Sequence, residues 1–287
     1  MLNGVILLWY ILTAAAVVFV AIDIRTSPVS PVMRWAFVLF TAYTGPIGVF
    51  LYVLGCREPL PGHHADYVRT RWRQVLGSTM HCVAGDGVGI LVGAVIGSVM
   101  SLERPVEVAL EYGLGFGFGW TIFQSLFMRS MAGGSYWMAL KRAFMPEFLS
   151  MNLVMTGMIP VASLFWVTAG GKQGPLTPTF WFVMSMALLA GFVVAYPINW
   201  WLVAKGLKHG MFTADENAPD NGVGEMAMAQ SASTAHPSTS MKEIASMVAI
   251  SIFAFGLAYT AAAVLQANSG IRPITSLDQP GGSAQHG

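Results

Sequence analysis

Apolar residues in this chain gather into long runs separated by short polar connectors. A helix needs about 20 apolar residues to cross a bilayer core. Runs of that kind fall at roughly 3–22, 33–55, 78–100, 105–128, 148–169, 178–204 and 243–266. The pattern predicts an all-α integral membrane protein with about seven transmembrane helices in a bundle. The connectors "HHADYVRTRWRQVLGS" and "GGSYWMALKRAFMPEF" mix Trp, Tyr, Lys and Arg, which suits interfacial helices in the headgroup zone. The first run, "GVILLWYILTAAAVVFVAI", has no Lys or Arg before it and exceeds a signal-peptide core in length, so it reads as a retained helix. The chain divides into an N-terminal helix and connector (1–32), a core bundle of helices two to six (33–209), a flexible loop (210–241), and a last helix with a disordered tail (242–287).

Composition agrees. Hydrophobic residues make up 55% of the 287 and charged residues only 10%, against about 25% charged in a soluble domain. A net charge of +1 gives no footprint for nucleic acid. Cys56 and Cys82 are the only cysteines, so zinc-ribbon spacing is absent. Ten Lys and Arg follow runs two, four and six, and five lie on the other side. The positive-inside rule then places the N-terminus in the cytoplasm and the C-terminus outside. Both cysteines fall on the reducing side, where free thiols are expected.

Chemistry concentrates where polar residues interrupt the apolar runs. The third run opens "STMHCVAGDGVG", with Met80, His81, Cys82 and Asp86 inside a span. An ionisable residue there costs about 3 kcal/mol or more, so it is a functional candidate by default. Glu147, Met151, Met155 and Met158 share one helical face. Thioether, thiolate and imidazole are the donors that suit Cu(I), which makes Met80, His81, Cys82, Met151 and Met155 a candidate soft-metal set. The same methionines also serve as adaptable filling between helices. Asp86, Glu111 and Glu147 are candidates for charge or proton coupling, with Gln124 and Asn152 as polar support. Gly85, Gly89, Gly93 and Gly97 recur every four residues, and Glu111, Gly115 and Gly119 share a face. Such stripes let helices approach closely, drawing Asp86 and Glu111 inward or docking a membrane partner or second copy. "AYTGPIGV", "MTGMIPVA" and "AYPINWW" put Gly or Pro mid-span and predict helix breaks. The first two lie one three-helix step apart, compatible with an inverted repeat. No HExxH, GxSxG or phosphate-loop motif is present, which points away from an enzyme.

"TMHCVAGDGVG", "EYGLGFGFGWTIFQ", "MPEFLSMNLVMTGMIPV" and "AYPINWWLVAKGLKHGM" together resemble an uncharacterised bacterial membrane family catalogued as a domain of unknown function. The resemblance covers roughly residues 70–212 and implies a multi-pass protein of the bacterial inner membrane. Some members carry a loose copper-related label, but no ligand set comes with it. The expected function is transport or binding of a soft metal ion, Cu(I) first, with a copper ion as cargo or bound ion. The alternatives are a proton-coupled transporter of a small solute and a non-catalytic assembly subunit. The expected partners are the lipid bilayer and the ion or solute, not nucleic acid.

Overall fold

The computed structural model describes residues 2–58, 63–129, 135–208 and 239–269. The expected flexible loop and tail lie almost wholly outside the described residues. Among the described residues, five helices are long and apolar enough to cross a membrane: α1 (Leu2–Asp23), α5 (Arg71–Val99), α8 (Tyr136–Thr168), α9 (Pro178–Ala204) and α10 (Met241–Asn268). The other two expected spans are broken. Run 33–55 forms α2 (Pro31–Thr44) and α3 (Pro46–Gly55). Run 105–128 forms α6 (Arg104–Phe118), a π-helical turn (Gly119–Gln124) and α7 (Ser125–Met128). The first interfacial connector yields the short α4 (His64–Val68) and the start of α5, and the second is the opening of α8.

The α2–α3 unit is a hairpin rather than a span. Phe37 and Tyr52 meet ring to ring at 5.2 Å; in one straight helix these positions would stand about 22 Å apart at 1.5 Å per residue. A Cβ on Gly48 would lie 2.7 Å from Thr41 Cα. The chain reverses at Gly45, whose φ of +57° is open to glycine and strained for other residues. Pro46 then starts α3 where a missing N–H costs nothing. Tyr52 Oη donates to Asp23 at 2.8 Å, and Arg57 pairs with the same carboxylate at 3.2 Å, tying the end of α3 to the end of α1.

This return sets the path of everything after it. At the pole where the hairpin opens, Tyr67 and Arg73 donate to Leu54 O at 3.0 and 3.3 Å, Tyr196 of α9 donates to Trp72 O, and Lys205 pairs with Glu243 of α10. At the far pole, Tyr10 of α1 donates to Pro178 O at 2.6 Å. The start of α1 and the end of α10 therefore share the far pole, whereas the expected seven-span path would set them at opposite poles.

The glycine stripe does what its spacing predicts. Added Cβ atoms at Gly89 and Gly93 would strike the backbone of Leu114 and Glu111, and one at Gly97 would strike the stem of Glu107. α5 and α6 thus run antiparallel at backbone contact. Gly157 of α8 and Gly191 of α9 interlock in the same way. The expected breaks in helices five and six do not occur: α8 runs through Pro146 and Pro160, and α9 through Pro197. Neighbouring helices can satisfy a carbonyl freed by proline, and neither helix adds a left-handed glycine such as Gly45. α1 and α10 flank the bundle and turn apolar surface outward, as lipid-facing helices do.

Candidate functional site

At the middle of α5, Cys82 and Asp86 lie one turn apart on one face, looking toward Glu147 of α8. Asp86 is fully buried and Glu147 is 1% exposed. Glu147 Oε2 accepts from the Cys82 thiol at 3.1 Å. No described N–H or O–H reaches Asp86 Oδ1, Asp86 Oδ2 or Glu147 Oε1. The two carboxyl groups lie within hydrogen-bond reach of each other, and a bond between them requires a proton on one. Gly119 makes the space, because a Cβ there would collide with Asp86 Oδ1 and Glu147 Oε1 together.

The π-helical turn begins at that glycine. A π turn leaves backbone groups out of the regular ladder and often marks a functional site. Ser125 Oγ takes up Trp120 O at 2.7 Å, and Tyr136 Oη takes up Thr121 O at 2.8 Å. The turn is thereby fixed against the start of α8.

A cation completes the group. Lys208 is 2% exposed, and its Nζ donates to Cys82 Sγ and, at 2.8 Å, to Asn199 Oδ1. Asn199 Nδ2 in turn donates to Ser150 Oγ at 3.0 Å and to Ala195 O at 2.9 Å. The backbone delivers Lys208 inward. Gly206 ends α9 at φ +68°, with Gly206 N–H bonded to Val203 O at 3.1 Å and Leu207 N–H to Leu202 O at 2.9 Å. This pair of bonds is the Schellman motif, which reverses the chain at a helix end. Leu207 packs on Leu149, Ile198 and Leu202, so the next residue enters the bundle. Burial works against the Lys208 charge, but the neighbouring Cys82, Glu147 and Asp86 outweigh it and hold the amine above the ordinary lysine value.

Of the residues expected from sequence, the structure brings together Cys82, Asp86 and Glu147. The Met151 methyl group lies against Gly115, a glycine that also faces the Asp86 backbone carbonyl, and not at the carboxyl groups themselves. Met80, His81 and Cys82 are consecutive on a helix and diverge by about 100° each. Met80 falls on the stripe of Gly87, which faces Tyr43 and Leu188. His81 packs between Phe123 and Phe127, with ring centroids at 5.6 and 5.3 Å, and no described group bonds either ring nitrogen. Met155 is buried in the main core. Gln124 is buried, its Oε1 without a described partner. Asn152 is occupied elsewhere: it accepts from Tyr112 Oη at 2.7 Å and donates to Ser251 of α10 at 3.0 Å. Among the described residues, no three His, Cys, Asp or Glu side chains gather as a metal ion would require.

Glu111 stands in a second acidic group, about two turns along α5 toward the far pole. It faces Glu107 within hydrogen-bond reach. Glu107 pairs with Arg104 at 3.4 Å and with Lys172. A cavity beside them is lined also by Met158, Trp166 and Phe180.

Sequence reasoning missed Lys208 and Asn199. Lys208 counted only as a connector charge, yet "AKGLK" carries its signal: a helix-ending glycine, then an apolar residue that must turn back to the core. No curated protein and no solved structure matches the chain. Residues 71–208, which run from the start of α5 to Lys208 itself, match the model of an uncharacterised family described as Domain of unknown function (DUF4396).

Proposed function

We propose that this multi-pass membrane protein exchanges protons for a small monovalent cation at the Asp86–Glu147 pair. The observation that carries the reading is the pair itself: two buried carboxyl groups within hydrogen-bond reach of each other, with the Lys208 ammonium held one thiol away on Cys82 as the cation whose charge reaches them among the described residues. Two carboxylates and one ammonium leave a deficit of one positive charge. An uncompensated charge at mid-membrane is costly, so a proton or a monovalent cation is the stable occupant. Cys82 Sγ borders the pair through Glu147 and favours a soft ion, which keeps Cu(I) as the leading cargo. The test is reconstitution into liposomes holding a pH-sensitive dye, with inward gradients of K⁺, Na⁺, Ag⁺ or ascorbate-maintained Cu⁺. One of these should drive proton efflux in wild type but not in Asp86→Asn. No dye response to any of the four, from correctly folded protein, would end the proposal.

The two broken runs also bear on membrane orientation. Eleven of the 15 Lys and Arg lie at the pole where the hairpin opens: Arg25, Arg34, Arg57, Arg69, Arg71, Arg73, Arg129, Lys141, Arg142, Lys205 and Lys242, while Lys208 turns from that end of α9 into the bundle. Arg104 and Lys172 lie at the far pole, and Arg272 follows the helix that ends there. By the positive-inside rule the hairpin pole is cytoplasmic, and the starts of α1 and the end of α10 face outward. An impermeant maleimide applied to intact cells should label a cysteine placed at Asn3 and spare one at Thr26.

A further inference from the structure

The exchange reading leaves open how many positive charges the site takes, and the Lys208 side chain bears on that number. Its ammonium is held in place by Asn199 and by a helix-end turn, not by a flexible reach from solvent. The groups around it are Cys82 and His81 from α5, Asp86 from α5, and Glu147 from α8. Tyr112 of α6 lies within electrostatic reach of Asp86. Of these, the two carboxyl groups are the acidic side chains, and Lys208 is the fixed cation that faces them.

We infer that Lys208 sets the valence of the site: as a resident counter-ion it limits the Asp86–Glu147 pair to one further positive charge, a single proton or a single monovalent cation. Without it, the same pocket would need two protons or a divalent ion to reach neutrality. The residue is thus specificity-determining for the proposed exchange, on which this inference rests.

Infrared absorption in the carboxylic-acid carbonyl region counts buried protonated carboxyl groups without any knowledge of the cargo. The contribution of this pair is the part of the band removed by Asp86→Asn combined with Glu147→Gln. At neutral pH and without added cargo cation, Lys208→Gln should roughly double that part, and Lys208→Arg should leave it at the wild-type intensity. Lys208→Gln combined with Asp86→Asn restores the one-charge deficit and should return about the wild-type intensity. It also serves where Lys208→Gln alone does not fold, because balanced charge should restore membrane accumulation. An unchanged band in a folded Lys208→Gln would overturn the inference, and so, where that variant does not fold, would a double variant that folds no better. Failure of proton exchange in wild-type liposomes would instead overturn the transport reading and leave this charge count standing.

Discussion

Two pairs of acidic residues line the same helix interface, and they are built to opposite ends. Asp86 and Glu147 meet at mid-bundle, fully enclosed, with one lysine for two carboxyl groups. Glu107 and Glu111 meet about two turns away, with Arg104 and Lys172 for two carboxyl groups, and both cations are partly exposed. The second group balances its own charge and ties the connectors before α6 and α9 together at the far pole. The first cannot balance without an incoming positive charge. Equal numbers of carboxyl groups therefore mean different chemistry, and the count of nearby cations decides which.

The sharpest way to break this contrast is Gly119→Ala. Its methyl group would land on both carboxyl groups of the central pair, which buried helices hold on either side. Proton exchange should fall to background; exchange near the wild-type rate would show that the pair is not the working site. Next comes the carboxyl-for-amide comparison. Asp86→Asn should abolish exchange with thermal stability unchanged or raised, since it removes the uncompensated charge. Glu107→Gln should keep exchange but lose about 1–3 kcal/mol of stability, because it strips a nearly buried partner from two cations. Thermal unfolding in detergent, read beside the liposome assay, checks both, and the reverse pattern would exchange the roles of the two groups. Gly97→Ala should be milder, for its methyl group meets only the Glu107 stem, which can swing. The smallest effect belongs to Gly113→Ala. With open space around it, alanine should stabilise α6 by about 0.5–1 kcal/mol through helix propensity alone.

Much of this was legible in the chain, though unevenly. Long apolar runs made the all-helical membrane class plain, because the bilayer imposes a length that few soluble helices copy. The Gly85–Gly97 stripe was equally readable, since spacing of four places each glycine on one face. Run 33–55 misled because hydropathy averages over direction. Its halves of 14 and 10 residues around Gly45-Pro46 are each too short to span, and that was the missed signal for a re-entrant hairpin. "MTGMIPVA" erred the other way: proline alone does not break a helix that its neighbours support. At the site, Asp86, Glu147 and Cys82 were found because their cost in a membrane is high. Their sequence neighbours Met80 and His81 were included by proximity along the chain, which a helix turns into divergence around its axis. Asn199 and Lys208 were missed because their roles depend on a backbone reversal after α9, whose signal in "AKGLK" was counted only as connector charge.

The π-helical turn at Gly119–Gln124 has a consequence for the ancestry of this helix. Such a turn is what a single inserted residue leaves behind when the flanking helix is too well packed to move. Removing one residue, Ile122 for example, whose side chain faces outward, would let the segment wind on as ordinary α-helix. Everything after it would then shift phase by about 100°. Ser125 and Met128 would rotate off the interior, and Tyr136 would lose the carbonyl it now holds. A relative shorter by one residue here would keep every glycine before position 119 in register and scramble the helix beyond it. Gaps in a comparison of such chains should therefore be placed within this turn, where one residue of length is a change of facing rather than a change of loop.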